Sequence, residues 1–464
     1  MSEPTAGTGS TAGALDLREP RRIHLVGVAG AGMSPIAEVL AAMGHAVSGS
    51  DLHPSAVLDR LGTLGVAVHV GHDPLLVAGV DVVVISTAVP STNIEVAAAG
   101  EASIPVVHRS EMLAAICRLR RTAAIAGTHG KTTTSALLAV ALDGAGLRPS
   151  FVVGGVILDF GTGARWDTGD WMVAEADESD GSFLRLPADL AVVTSVEPDH
   201  LDHWGSFDAV TAAFDTFLAA AGARLVSADD AVAAELGHRH GATTYGTATT
   251  ADFRMVDVVG GRSSVRFALL DHGTVLGDVD VPRPGLHNAR NAAGALAAAV
   301  LAGADFAPAA GAVGSWGGVG RRFQTRGERE GVTYVDDYAH LPGEVAAVLA
   351  AARDGDWQRV VCVFQPHRYS RTQSLWRDFG TAFRDADVLV VTDVYPAGEQ
   401  PRPGVSGLLV ADAVGEADPA RPVAYVAGRG DLVAHLRRLL RPGDLCLTLG
   451  AGDVTTLADE LLAE

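Results

Sequence analysis

Residues 124–134 read Ala-Ile-Ala-Gly-Thr-His-Gly-Lys-Thr-Thr-Thr, an apolar run that enters a glycine-bounded turn and leaves it through residues suited to a helix. This order is that of a phosphate cradle. Backbone N–H groups at a helix N-terminus carry the positive end of the helix dipole, so Gly127, Thr128 and Gly130 can surround an anion. Lys131 adds a point charge, and Thr132 and Thr133 add hydroxyls, that of Thr132 directed to Mg²⁺. The full phosphate-loop pattern has another glycine five residues before the second one. Here that position is Ile125, and the shorter GTxGKT stands.

Two acidic clusters follow apolar runs. Glu175-Ala176-Asp177-Glu178-Ser179-Asp180 closes a strand predicted over Trp171 to Ala174, and Glu197-Pro198-Asp199-His200-Leu201-Asp202-His203 closes one predicted over Leu190 to Val196. Mg²⁺ takes one or two carboxylates beside phosphate oxygens and water, which makes Glu175, the first carboxylate after the strand, the metal candidate. Asp177 and Asp180 read equally well as a solvated loop. His200 is read as an active-site histidine and His203 as a structural one; a transition-metal pair would need a third ligand. Further on, Arg368 and Arg371 stand three apart at a helix start, where guanidinium forks suit a carboxylate or phosphate, a surface salt-bridge ladder being the alternative. Asp336-Asp337-Tyr338-Ala339-His340 also ends a strand and is expected to face the same crevice.

The elements that must position these groups alternate strand and helix. Arg22 to Gly27 reads as a strand, followed by Gly30, Gly32 and a helix from Met33 to Met43. Strands His45 to Gly49, Val66 to Val70 and Val80 to Ser86 complete a parallel sheet of nucleotide-binding character. The dinucleotide fingerprint would place glycines at 27, 29 and 32, but Ala29 holds the middle position, so NAD is a weaker expectation than another nucleotide-containing ligand. Arg118 to Arg121 breaks the chain before the phosphate-loop strand. Ser227 to Gly285 reads as short strands in an antiparallel flank, an Ala-rich helix runs from Asn288 toward Gly303, and a last strand–helix unit begins near Arg326. In a parallel sheet, groups at C-terminal strand ends share one edge, so the loop and both acidic clusters converge.

The 464 residues suggest about three domains at roughly 150 residues each. The net charge of −20 argues against nucleic acid or an anionic membrane as partner. Cys117, Cys362 and Cys446 lie far apart in apolar runs and read as buried free thiols. Residues 1–19 are expected to be a disordered tail with no signal peptide, and no segment is long enough to span a membrane, so a cytoplasmic protein is expected.

Taken together, GTHGKTTT (127–134), EADESD (175–180), EPDHLD (197–202), HNARN (287–291), GVGRRFQ (318–324), DDYAH (336–340), FQPHRYSRT (364–372), VYPAGE (394–399) and GAGD (450–453) strongly resemble the Mur ligases, from about Arg22 to the C-terminus. The resemblance implies an α/β protein of three domains. These are a Rossmann-like UDP-sugar domain (20–119), a central phosphate-loop ATPase-type parallel-sheet domain (120–325) and a Rossmann-like C-terminal ligase domain (326–464). The likeness is greatest to members that use ATP and Mg²⁺ to join L-alanine to the lactyl carboxylate of UDP-N-acetylmuramate through an acyl phosphate, in peptidoglycan precursor synthesis. It implies that Gly27, Ala29, Gly30, Gly32, Met33, Ser34, Ser50, Asp51, Ser86, Thr87 and Ala88 surround the UDP-sugar, with Tyr338 also on substrate. Lys131 and Thr132 would meet ATP phosphates and Mg²⁺, Glu175 and His200 the metal, and Asn288 and Asn291 the adenine. Arg322, His340, Arg368 and Arg371 would act on the transferred charge and the substrates when the third domain closes. A monomer or weak homodimer is expected.

Three departures from the family stand out. Leu341 replaces a second histidine in DDYAHHP, Ala29 replaces a glycine, and Gly161-Thr162-Gly163 replaces an asparagine-containing loop. The Leu341 side chain neither donates a hydrogen bond nor titrates, so it bears on amino-acid choice. The alternatives to an L-alanine ligase are a recycling ligase that attaches a whole peptide, a catalytically silent UDP-sugar-binding protein and, last, a dehydrogenase.

Overall fold

The computed structural model describes residues 15–463 except 262, 354 and 356. Three sheets follow one another along the chain. The first has five parallel strands, Arg22–Val26, Ala46–Asp51, Ala67–Val70, Val82–Ile85 and Val106–His108, in the spatial order third, second, first, fourth, fifth. The order reverses beside the first strand, and it is above such a switch point that open α/β sheets hold ligands. The helix after the first turn runs Ser34–Ala42, close to the span that its apolar spacing predicts.

The central sheet has ten strands. Its middle is parallel: Leu190–Val193, Arg121–Ala126 and Trp171–Glu175 lie side by side, with five residues of Arg121–Ala126 buried. Helices cover both faces of such strands, so they read as continuous apolar runs without alternation. Strands Phe253–Gly260, Val265–Asp271 and Thr274–Val281 form the antiparallel flank. On the opposite edge, Ser150–Ile157 and Thr162–Arg165 make a hairpin. Of the Gly161-Thr162-Gly163 departure, Gly161 lies in the hairpin turn with φ +67°, and Thr162 and Gly163 begin the second strand, where a Cβ on Gly163 would lie 2.7 Å from the Gly155 carbonyl oxygen. Thr162 Oγ1 donates to Glu38 Oε2 at 2.9 Å, so this segment ties the central unit to the first one, and Arg60 ion-pairs with the same Glu38.

The third sheet places Val332–Asp337, Asp444–Leu449, Arg359–Phe364, Val388–Val391 and Val423–Tyr425 parallel, with Gln324–Arg329 antiparallel at one edge. Two sequence expectations change here. Gln324–Arg329 begins inside the span assigned to the central unit, Phe323 packs in the third core, and Arg321 donates to Gly450 and Gly452 carbonyls, so the third unit starts near 321 rather than 326. The tail expectation over 1–14 lies outside the described residues, but Leu17 is 3% exposed and belongs to an apolar cluster that runs from the first sheet into the central one. The three cysteines are buried and unpaired. Among the described residues no helix is long and apolar enough to cross a membrane.

Candidate functional site

The strand Arg121–Ala126 ends at Gly127, and the helix Lys131–Gly144 begins after Gly130. Both glycines are required. Gly127 has φ +137° and Gly130 φ +80°, and a Cβ would strike Thr194 Oγ1 at the first and Asn291 Oδ1 at the second. Left-handed backbone costs a Cβ-bearing residue energy even without such contacts. Lys131 Nζ donates to the Gly127 carbonyl at 2.6 Å and to Glu178 Oε1 at 2.8 Å. Burial alone would lower the Lys131 pKa, but Glu178, with Asp177 and Glu175 beyond it, raises it. Glu178 is 2% exposed, burial raises its pKa against the pull of Lys131, and its Oε2 has no hydrogen-bond partner among the described residues. Of the acidic cluster, then, Glu178 meets the lysine, a pairing that the sequence reading did not single out.

Thr132 Oγ1 donates to Glu175 Oε1 at 2.9 Å, and Glu175 Oε2 accepts from the Gly154 N–H at 2.7 Å. This pair of oxygen donors beside the phosphate turn suits a hard cation shared with phosphate oxygens. The family resemblance puts His200 with Glu175 at the metal. This histidine has φ +52° at the start of a short helix, its Nε2 lies 3.6 Å from its neighbour Asp199, and it is not among the walls of the cavity described next. No group of three or more His, Cys, Asp or Glu side chains among the described residues can hold a metal.

A cavity of about 440 Å³ opens between the central and third units. Its floor is the phosphate turn, Thr128 to Thr133, with Glu175. One wall is the helix Leu286–Leu301, which presents His287, Asn288, Arg290 and Asn291 beside Ser227, Asp229 and Tyr245. Asn288 Nδ2 donates to the Pro284 carbonyl at 2.7 Å, Asn291 Oδ1 accepts from Thr134 Oγ1 at 3.3 Å, and Arg290 pairs with Asp229 at 2.6 Å. Burial, then Arg290, pushes His287 down to about 4.

The opposite wall belongs to the third unit and carries Arg322, Phe323, Asp337, Ala339 and Glu344. The two arginines of the GVGRRFQ turn are thereby separated: Arg321 holds the 450–452 loop, and Arg322 faces the cavity. Both guanidinium groups stack on Tyr338, at 4.9 and 5.5 Å from the ring centre. Asp337 accepts from the Phe323 and Ala339 N–H groups, and burial, opposed by Arg322, lifts it to about 6. Beside this wall stand His340, with Nδ1 3.0 Å from the Tyr338 carbonyl oxygen, and His367, whose Nδ1 lies 3.1 Å from Arg371 Nη1. Burial lowers both imidazoles, His367 to about 4. Burial, then Arg368, lowers Arg371, while Glu344 and Asp199 of the central unit oppose that shift. The Arg368 backbone is left-handed at φ +66°, and its N–H donates to the Tyr395 carbonyl at 2.8 Å. Glu344 accepts from the N–H groups of His340 and Leu341.

The first unit holds a second turn. The N–H groups of Gly27 and Val28 donate to the Ser50 carbonyl, and Ala29 N–H donates to Asp51 Oδ2 at 3.1 Å. A Cβ on Gly32 would lie 2.8 Å from Arg109 Nη1, and Arg109 also pairs with Asp180 at 3.4 Å. Beneath the turn, Ser50 Oγ donates to Glu95 Oε2 at 2.7 Å, and His24 and His72 each place a ring nitrogen within 3.3 Å of the same carboxylate. Gly30 lies exposed in the turn, with Met33 and Ser34 buried where its helix begins. Ser86 is half-buried and Thr87 and Ala88 are exposed beyond the fourth strand.

Residues 22–121 match the Mur ligase family catalytic domain, 125–299 the Mur ligase middle domain and 321–452 the Mur ligase glutamate ligase domain. The chain belongs to the Mur ligase family. A UDP-N-acetylmuramate–L-alanine ligase from Bradyrhizobium sp. (strain ORS 278) is 46% identical over 456 residues, covering 95% of this chain and 97% of its own. One of the same name from Anaeromyxobacter dehalogenans (strain 2CP-1 / ATCC BAA-258) is 47% identical over 449 residues, with the same coverage. Among solved structures, the UDP-N-acetylmuramate-alanine ligase from Thermotoga maritima superimposes with a TM-score of 0.81 at 26% identity, covering 96% of this chain and 98% of its own. A murein peptide ligase from Psychrobacter arcticus 273-4 shares the fold, with a TM-score of 0.69 at 22% identity over the same shares.

Proposed function

We propose that this Mur ligase joins L-alanine to the lactyl carboxylate of UDP-N-acetylmuramate at the expense of ATP. The observation that carries the reading is the cleft itself, a phosphate turn with Lys131, Thr132 and Glu175 on one side and the cationic face of Arg322 on the other. The names of relatives 46% and 47% identical across 95% of the chain support the substrates. A carboxylate is a poor electrophile at neutral pH, so it is first phosphorylated, and Lys131 and Arg322 offset the negative charge gathered on the moving phosphoryl group. Mg²⁺, held by Thr132 and Glu175, would supply further charge neutralisation. Asn288, Asn291 and the Asp229–Arg290 pair form the nucleoside side of the site. The turn at 27–34, with Ser50, Asp51 and Ser86 to Ala88, receives the UDP-sugar. Closure of the third unit brings Arg368, Arg371, His340 and Tyr338 to the amino acid and keeps water from the acyl phosphate.

The experiment is ADP release with ATP, Mg²⁺ and UDP-N-acetylmuramate, given either L-alanine or the murein tripeptide. Release with L-alanine is expected. Release with tripeptide alone would transfer the reading to a recycling ligase, and binding of the UDP-sugar without any release would make the chain a silent binder.

A further inference from the structure

We propose that His129, steadied by Glu197, accepts the proton that the incoming amino acid must lose before its nitrogen can attack. The inference rests on the ligase reading above. An amino acid arrives as an ammonium ion with no lone pair, so a base must stand between the phosphate turn, where the acyl phosphate forms, and the third unit, which brings the amino acid.

His129 occupies that place. It is the turn residue immediately before Gly130 and faces the cavity that Arg322 and Glu344 close from the other side. Its backbone is fixed: the N–H donates to Ser195 Oγ at 3.0 Å and the carbonyl accepts from Thr194 Oγ1. Nε2 lies 3.4 Å from Glu197 Oε2, and Glu197 is anchored in turn, its N–H donating to Thr128 Oγ1 at 2.9 Å. A carboxylate on Nε2 holds the hydrogen there and leaves the lone pair on Nδ1, which has no hydrogen-bond partner among the described residues. Burial lowers this imidazole, but Glu197 and then Glu344 raise it by more, against the opposing charge of Lys131, so its pKa lies above the ordinary 6.5. A base is most effective when its pKa is near the working pH.

The other candidates are engaged. Both Asp337 oxygens accept backbone N–H groups, Glu344 is held low while it accepts from two N–H groups, and His340 and His367 are pushed down. In the proposed step the ammonium gives one proton to His129 Nδ1, and the freed electron pair forms the C–N bond. The C–O bond to phosphate then breaks with its electrons on the phosphate, which takes the surplus proton from nitrogen, and the imidazolium releases its own proton to solvent.

The test is His129→Asn in the full chain with ATP, Mg²⁺ and UDP-N-acetylmuramate, comparing L-alanine with hydroxylamine, a nucleophile largely unprotonated at mildly alkaline pH. Alanine ligation is expected to fall about 100-fold, the scale of lost general-base assistance, while hydroxamate formation stays within about threefold of the unmodified chain. Equal loss with both nucleophiles would overturn the proposal by placing His129 in phosphoryl transfer, and so would unchanged alanine ligation. Glu197→Gln removes the group that raises the imidazole, so the acidic limb of kcat/KM for alanine moves to lower pH; a limb that stays in place also overturns it. If the unmodified chain forms hydroxamate but no alanyl product, the substrate reading fails and this inference with it.

Discussion

The chain builds a strand, a glycine turn and a helix twice, at 22–42 and at 121–144, and the two copies differ in what stands behind the turn. Behind the first lies a largely buried, hydrogen-bonded set, Ser50, His24, His72 and Glu95, and the Arg109 guanidinium lies over Gly32. Behind the second, Lys131 is buried against Glu178, with Thr132 and Glu175 alongside. In the first turn the N–H groups of Gly27, Val28 and Ala29 are already taken by Ser50 and Asp51, which leaves the Arg109 guanidinium over Gly32, and no lysine or hydroxyl–carboxylate pair is aimed at a phosphoryl group in transfer. The second has both. On the proposed reading, similar local backbone serves to hold substrate in one unit and to transfer a phosphoryl group in the other, and buried charge makes the difference.

Breaking the second copy has the largest expected effect. Lys131→Ala should cut ADP release by about 10²- to 10³-fold, the scale of a lost transition-state charge contact, and leave UDP-sugar binding measured by calorimetry unchanged. A fall in both would mean that the turns do not work separately. Next comes Glu95→Gln in the first copy. Burial alone would raise Glu95, but hydrogen bonds from His24, Ser50 and the Asp73 N–H, with the charge of His24, bring it from 4.5 to about 2. A carboxylate depressed on folding stabilises above its unfolded pKa, and the gain disappears as pH falls from about 4.5 toward 2. Urea unfolding should show the variant less stable by about 3 kcal/mol at pH 7, with the gap closing over that acidic window. Arg109→Ala should weaken UDP-sugar binding about tenfold, as expected for one charge-assisted contact, while KM for ATP holds. The smallest effect belongs to the cleft: Leu341→His should lower KM for L-alanine severalfold without altering KM for ATP, within the 1–2 kcal/mol range of a single hydrogen bond.

Much of this contrast was legible in the sequence, because glycine turns and strand-end carboxylates are short-range signals. Glycines at 27, 127 and 130 coincide with positive φ, and Glu175 ends its strand as its apolar run predicts. What was not legible depended on contacts remote in sequence. Nothing local distinguishes Glu178 from Asp180, yet one pairs with Lys131 and the other with Arg109. Arg321 and Arg322 are neighbours, and only the fold sends the first to the 450–452 loop and the second to the cavity. Glu95 reads as an ordinary first-turn helix acid until the strand carrying His24, the turn carrying Ser50 and the segment carrying His72 meet around it. His129 carries no local signal between Thr128 and Gly130, since the glutamate it meets lies 68 positions away, at 197. The helix Phe306–Gly314 was hidden by Pro308 and Gly311, although a proline in the first turn costs little because its N–H would lack an intrahelical partner.

Leu17 acts as a peg: with the partly buried Leu15 beside it, it packs into an apolar cluster shared by the first and central units. A segment spliced between Leu17 and Arg21 would draw the peg out and cost about 2 kcal/mol of apolar burial. The seam between the first and central units is therefore sealed in part by residues that precede the first strand.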